Sequence, residues 1–214
     1  MNLPNKLTLF RIILVPVMVI VSFFDIPGNF LGLGIPTTMW IMELIFVIAS
    51  ITDKLDGYLA RKNNQVTNFG KFLDPIADKI LVVAAMILFV EIGRLPAWIP
   101  IIVIFREFAV SGYRLIAVQN SGKVIAANVW GKLKTVTQMI AIILMFLTTH
   151  PYFAFVLRAK TEQEAMVNSA LTYMSTGDFI INILASVFMT ISVIATIFSG
   201  YEYLKGGKDL LKDC

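Results

Sequence analysis

The sequence predicts an all-α integral membrane protein, a bundle of six transmembrane helices with a short interfacial segment at its N-terminus. Hydrophobic residues make up 57% of the chain and charged residues 15%, and the mean hydropathy is +0.79. Several apolar runs approach the roughly 20 residues that an α-helix needs to cross a bilayer. No internal repeat or low-complexity tract divides the chain, so we expect one domain over residues 1–214. The single cysteine, Cys214, excludes an intrachain disulfide and a cysteine metal cluster.

The elements are predicted in order from apolar runs and the polar residues that bound them. Residues 2–11 are mixed and basic, which favours an interfacial lead-in, and part of it joins the apolar run 12–24 as the first helix. A turn rich in glycine and proline follows at 27–36. The second helix is expected at about 37–61, and the third from an N-cap at Thr67 or Asn68 to Glu91. The fourth is expected at about 95–118, the fifth from Trp130 to before His150, and the sixth at 179–201.

The distribution of basic residues predicts the orientation. Of the 18 lysines and arginines, all but Arg94, Arg158 and Lys160 fall on one side of this six-helix arrangement. Because lysine and arginine in short loops favour the cytoplasmic side, we expect both termini on the cytoplasmic side of a cell membrane.

One stretch, residues 53–78, concentrates charge in this apolar chain. It carries four aspartates, and an acid inside a membrane costs on the order of 2.5 to 3.5 kcal/mol at a helix centre. Helical periodicity places its polar and small residues on two stripes of successive antiparallel helices. The first stripe is Asp53, Asp56, Gly57, Ala60 and Arg61; the second is Gly70, Asp74 and Asp78.

Four carboxylates meeting at one membrane edge predict a site for hard divalent cations. Oxygen-only ligation is typical of Mg²⁺ or Mn²⁺, and four aspartates suit two ions, an arrangement used in phosphoryl transfer. The small residues of the first stripe let a phosphate approach the backbone, and Arg61 can bind it bidentately. The alternative is ordinary helix-end charges paired with nearby cations: Lys54, Arg61, Lys71 and Lys79.

A second group of charges predicts a pocket for a small phosphorylated substrate. Arg106, Val110 and Arg114 share one face of the fourth helix, and Gly131, Lys134, Thr135 and Gln138 share one face of the fifth. If both faces meet the aspartates, they form a cationic pocket. The alternative is that these cations extend to lipid phosphates at the helix ends.

The aspartate stretch resembles the signature of the CDP-alcohol phosphatidyltransferase family at all eight of its fixed positions. The pattern is Asp53-x2-Asp56-Gly57-x2-Ala60-Arg61-x8-Gly70-x3-Asp74-x3-Asp78. The resemblance implies a six-helix membrane enzyme, usually a homodimer, that moves a phosphatidyl group from a CDP-linked lipid to an alcohol and releases CMP. It also implies three roles: Asp53, Asp56 and Asp74 hold metal; Asp78 lies near metal and acts as general base; and Asp56, Gly57, Ala60, Arg61 and Gly70 bind the nucleotide.

Three further strings, NLPNKLTLFR, REFAVSGYRLIA and NVWGKLKT, resemble the corresponding parts of bacterial phosphatidylglycerophosphate synthases. This resemblance implies CDP-diacylglycerol as donor and sn-glycerol 3-phosphate as acceptor. Arg106, Arg114 and Lys134 are the candidates for the acceptor phosphate, with Thr8 and Arg11 as further candidates at the site mouth. The partners expected are these substrates, membrane lipids and a second copy of the chain, with no nucleic acid.

Two alternative functions remain open at this point. The same chemistry could use another acceptor, as in cardiolipin synthases or phosphatidylinositol-phosphate synthases. A protein of a different class, an ion-coupled transporter, also places acids inside a membrane.

Overall fold

The computed structural model describes residues 2–28, 34–62, 68–121, 129–153 and 176–206. The expected N-cap at Thr67, most of the outer loop after His150 and the C-terminal Cys214 lie outside these ranges. The described ranges contain six helices: α1 (Leu3–Ser22), α2 (Thr37–Lys62), α3 (Asn68–Glu91), α4 (Trp98–Ser121), α5 (Val129–Phe146) and α6 (Thr176–Gly206). Their order follows the predicted order.

Helix α1 joins the polar N-terminal residues and the apolar run into one continuous element. It begins at Leu3, with Pro4 in the first turn, where a missing amide hydrogen is tolerated. The N-terminal lead-in is therefore the first part of a 20-residue helix rather than a separate segment. One face of α1 is buried, and it includes Asn5, Thr8 and Arg11.

The helices form two groups that meet at α3. Helix α1 packs along α2 and α3, whereas α6 packs along α5 and α4. Helix α3 also contacts α4 and α5, and α2 contacts α5. The aromatic ring of Phe146 on α5 lies 5.9 Å from that of Phe46 on α2 and 4.6 Å from that of Phe89 on α3, measured between centroids. These three buried rings join the two groups in the core.

Three of the described helices are long and apolar enough to cross a membrane: Leu3–Ser22, Val129–Phe146 and Thr176–Tyr203. The other three, α2, α3 and α4, carry charged residues of the predicted site. Many large apolar side chains on the bundle face outward, including Ile101, Phe105 and Phe108 of α4. Lipid is the solvent in which such a surface is stable, so the fold is that of a membrane protein.

Candidate active site

The aspartates of α2 are held by a cation from α1. The guanidinium of Arg11 is fully buried, with Nη1 2.6 Å from Asp53 Oδ1 and Nη2 paired with Asp56 Oδ2. The hydroxyl of Thr8, one turn earlier, lies 3.3 Å from the same oxygen of Asp56. Asp56 is 4% exposed and Asp53 39% exposed, so only one edge of this pair is open to solvent.

This arrangement separates Thr8 and Arg11 from the other acceptor candidates. Both side chains lie against the α2 aspartates, and neither lines the pocket that contains Arg106 and Lys134. Sequence reasoning did not assign Arg11 to the aspartates, although its place on the buried face of α1 was available from the spacing of Pro4, Thr8, Arg11 and Val15.

A polar cavity of about 420 Å³ lies where α3, α4 and α5 meet. Its lining includes Asp78 from α3, Arg106 and Glu107 from α4, and Lys134 and Gln138 from α5. The faces predicted for α4 and α5 thus meet the end of the predicted α3 stripe. Asp78 is exposed to this cavity, and in the described part of the chain no hydrogen bond or ion pair joins it to another side chain.

Glu107 links the cations of this cavity, a role that sequence reasoning missed. Its Oε1 lies 2.8 Å from Arg106 Nη1 and 2.7 Å from Lys134 Nζ. Lys79 Nζ lies 3.6 Å from Oε2 and also donates a hydrogen bond to Ser111. The sequence did contain a signal for this role: Glu107 is an acid next to Arg106 and one helical turn before Ser111, in a helix with few other charges.

Helix α6 fixes Arg106 from the other side. Arg106 Nη2 donates a hydrogen bond to Ser199 Oγ at 2.5 Å, and the guanidinium carbon lies 5.9 Å from the centre of the Tyr203 ring. Gly200 also packs beside Arg106, and a Cβ there would make an ordinary van der Waals contact with Arg106 Cγ, at 3.6 Å. The buried Nε of Arg106 has no hydrogen-bond partner among the described residues.

The remaining predicted residues are placed less completely. Gly57 is half-buried on α2 and Gly70 is buried on α3. The side chains of Ala60, Arg61, Asp74 and Arg114 lie outside the described part of the chain, as do those of Lys54 and Lys71. Within the described part, Asp53 and Asp56 pair with Arg11, and Lys79 faces Glu107.

The donor set of Asp53 and Asp56 fits a divalent cation. Their carboxylates offer hard oxygen ligands, and both already face one buried positive charge, which shows that the site favours a cation. Among the described side chains no three metal-binding residues come together, and Asp74, the third predicted ligand, falls outside that set. The described residues thus supply two carboxylates whose chemistry fits a divalent cation.

Fold and site together define a helical membrane protein whose polar cavity combines carboxylates with clustered cations, the chemistry of an enzyme acting on phosphorylated substrates. The sequence comparisons agree, because residues 1–198 match the CDP-alcohol phosphatidyltransferase family. The chain belongs to that family, which is generally dependent on divalent metal. The predicted family and enzyme class are confirmed.

Several bacterial proteins resemble the chain and share the name CDP-diacylglycerol–glycerol-3-phosphate 3-phosphatidyltransferase. That of Bacillus subtilis is 49% identical over 154 residues, which cover 71% of this chain and 79% of the relative. That of Haemophilus influenzae is 46% identical over 145 residues, covering 66% and 73%. That of Rickettsia bellii is 34% identical over 213 residues, covering 97% and 96%. The similarity therefore extends over nearly the whole chain.

Proposed function

We propose that the protein transfers the phosphatidyl group of CDP-diacylglycerol to sn-glycerol 3-phosphate, giving phosphatidylglycerophosphate and CMP. The observation that carries the proposal is the cavity between α3, α4 and α5, which is lined by Arg106, Lys134 and Asp78, a carboxylate with no hydrogen bond or ion pair to another described side chain. A phosphorylated alcohol needs both kinds of group: cations for its phosphate and a base for its hydroxyl. The names of the bacterial relatives support the same donor and acceptor.

In this mechanism Asp78 accepts the proton of the acceptor hydroxyl. The hydroxyl oxygen forms a bond to the phosphorus of the phosphatidyl group, and the bond from that phosphorus to CMP breaks, with the electron pair leaving on CMP. Arg106 and Lys134 hold the acceptor phosphate, and Arg114 is proposed to assist them. Burial of Lys134 strengthens its attraction to the acceptor phosphate, because electrostatic attraction is stronger where water is excluded.

The nucleotide is proposed to bind along the face of α2 and α3 that carries Asp56, Gly57, Ala60, Arg61 and Gly70. Asp53, Asp56, Asp74 and Asp78 would hold two divalent ions, Mg²⁺ or Mn²⁺. Bound there, such ions supply charge neutralisation and polarisation at the phosphoryl oxygens. Arg61 adds bidentate hydrogen bonds to the diphosphate, which stabilise the charge that develops on CMP.

We further propose that all six helices cross the membrane of a bacterial cell, that the active site faces the cytoplasm and that the enzyme is a homodimer. The charges of α2, α3 and α4 support this topology, since the described ion pairs of these helices, formed by Asp53, Asp56, Lys79 and Glu107, lie at the site. Membership of a phosphatidyltransferase family removes the reason for preferring a transporter. Cardiolipin synthase and phosphatidylinositol-phosphate synthase chemistry remain the alternatives, and they differ only in acceptor.

The test is acceptor-dependent release of CMP by the purified protein in lipid nanodiscs. With CDP-diacylglycerol and Mg²⁺ or Mn²⁺, we expect release with sn-glycerol 3-phosphate, much less with phosphatidylglycerol or inositol phosphate, and none after metal removal by EDTA. Asp78→Asn should lower kcat by roughly 10² to 10⁴, the usual contribution of a general base, with nucleotide binding retained. Asp25→Asn, an exposed acid at the other end of α1, is the matched control.

Two results would contradict the proposal. If no acceptor led to release of CMP, the protein would not have the proposed activity. If it preferred an unphosphorylated alcohol, Arg106 and Lys134 would not have the role of binding an acceptor phosphate.

A further inference from the structure

Among the residues that the structure describes, Glu107 is the acid that touches the cations of the acceptor cavity. Its two carboxylate oxygens face three positive side chains from three helices: Lys79 of α3, Arg106 of α4 and Lys134 of α5. Two of the contacts, at 2.7 and 2.8 Å, share the oxygen Oε1. The ion pairs of Glu107 therefore link α3, α4 and α5.

The cations need this acid in order to lie where they do. Lys134 is only 6% exposed, and an ammonium group withdrawn from water requires an opposite charge close by. Without one, the three positive groups would repel each other across the cavity. A lysine that loses its counter-ion turns toward water or gives up its proton, and in either case it no longer binds phosphate as a fixed cation.

The contacts of Glu107 leave donors for a ligand. Lysine has three N–H donors, and the contact with Glu107 uses one of the three on Lys134. Arg106 has five donors, of which one goes to Glu107 and one to Ser199, while its buried Nε has no partner among the described atoms. The carboxylate thus fixes both head groups with most of their hydrogen-bonding capacity unused.

We propose that Glu107 is a positioning residue for the acceptor: it holds Lys134 and Arg106 charged and in place, and they bind the phosphate. This inference rests on the proposed function, and it adds a residue that does not itself touch the substrate. Its effect must therefore appear in acceptor binding and must pass through Lys134 and Arg106.

The test replaces the carboxylate by an amide of the same shape. Glu107→Gln should raise the acceptor KM, and the dissociation constant of sn-glycerol 3-phosphate measured by equilibrium dialysis, by about tenfold or more, since it removes one partner of a buried ion pair. The KM for CDP-diacylglycerol should stay within about twofold. Glu91→Gln, an exposed acid at the far end of α3, is the control and should change neither value.

A second pair of variants shows whether the effect is transmitted by Lys134. Glu107→Asp keeps the charge with a shorter reach and should lie between wild type and Glu107→Gln in acceptor KM. In a Lys134→Met background, Glu107→Gln should raise the acceptor KM by a clearly smaller factor than it does alone, because one of the two groups that it positions is gone.

Several outcomes would overturn the inference. A lower acceptor KM in Glu107→Gln would mean that Glu107 competes with the phosphate, and equal rises in donor and acceptor KM would mean a general structural role. Fully multiplicative effects of the two substitutions, or a Glu107→Asp variant no better than Glu107→Gln, would also contradict it. Failure of the wild type to bind sn-glycerol 3-phosphate would overturn the proposed function and the inference with it, whereas normal binding by both proteins would overturn the inference alone.

Discussion

At the scale of single residues, Arg11 explains how two acids can be stable at the edge of this bundle. An isolated carboxylate in a poorly hydrated site is unfavourable, and two neighbouring ones repel each other. The guanidinium of Arg11, which is fully buried, faces both Asp53 and Asp56 and offsets that repulsion without metal. The same carboxylates can therefore exist in two cationic environments, one supplied by the protein and one by a divalent ion.

Replacing Arg11 tests this account. Arg11→Met should lower the free energy of unfolding by about 3 kcal/mol, the lower end of the range for breaking a buried pair, because Asp53 is partly exposed and screened. EDTA should lower the Tm of Arg11→Met further than that of wild type, since no cation then remains beside the carboxylates. Thermal unfolding in detergent, with and without EDTA, measures both effects.

Lys6→Met removes an exposed cation from the same helix and is the matched control, which should unfold like wild type. An Arg11→Met protein that is as stable as wild type in EDTA would contradict the account.

Sequence spacing predicted which residues share a helical face but not which faces meet. The α4 and α5 faces were identified from spacing, and six of their seven members line the cavity with Asp78: Arg106, Val110, Gly131, Lys134, Thr135 and Gln138. The pair of Arg11 and Asp56, separated by 45 positions, could not be predicted in this way. Periodicity describes one helix at a time, whereas an ion pair between helices depends on their packing.

At the scale of elements, the turn between α3 and α4 is fastened to the end of α5 by Arg94. Its guanidinium donates hydrogen bonds to the carbonyl oxygens of Met145, at 3.3 Å, and Thr148. These carbonyls have no partner within α5, so the arginine caps the helix as well as joining it to the turn. In return, the backbone N–H of Tyr152 donates to the carbonyl of Arg94 at 2.7 Å.

Burial lowers the pKa of Arg94 to about 10, and the charge of Asp178 partly offsets this effect. The guanidinium stays protonated at neutral pH, because that value is still well above 7. The hydrogen bonds to the α5 carbonyls are therefore charge-assisted under ordinary conditions.

Arg94→Leu should destabilise the fold without affecting catalysis. We expect a loss of roughly 1.5 to 3 kcal/mol, the usual value of hydrogen bonds to a charged group, seen as a lower Tm. The acceptor KM should be unchanged, because Arg94 follows the C-terminal end of α3, about four helical turns beyond Asp78. Arg94→Lys keeps the charge but not the planar donors and should show an intermediate Tm. A changed acceptor KM in Arg94→Leu would mean that the two ends of the bundle are coupled.

At the scale of the whole molecule, the bundle has two chemically different ends. The described ion pairs lie at the end formed by the start of α1 and the end of α2, whereas Arg94 and the turn after α3 mark the other. The order and kind of the helices were predicted because long apolar runs leave few alternatives in a membrane. Helix ends shifted by a few residues, as in α4, which begins at Trp98 rather than 95, because capping and packing decide the last turns.

Cysteine labelling tests the orientation of the two ends. In a Cys214→Ser background, which has no cysteine, Ile92→Cys should react with a membrane-impermeant maleimide in intact cells. Lys62→Cys should react only after the cells are permeabilised, because α2 ends on the predicted cytoplasmic side. Both positions are exposed, so equal labelling in permeabilised membranes is the control. Labelling of Lys62→Cys in intact cells would contradict the proposed orientation.

The pairing of α1 with α2 also has a consequence for biosynthesis. Arg11 is synthesised before Asp53 and Asp56, so the charge on the first helix has no counter-ion until the second helix has been made. A membrane helix that carries an unpaired arginine is costly to insert alone. Helices α1 and α2 therefore compensate each other's charges when they form a hairpin, and Asp53 and Asp56 are matched with Arg11 as soon as that hairpin forms.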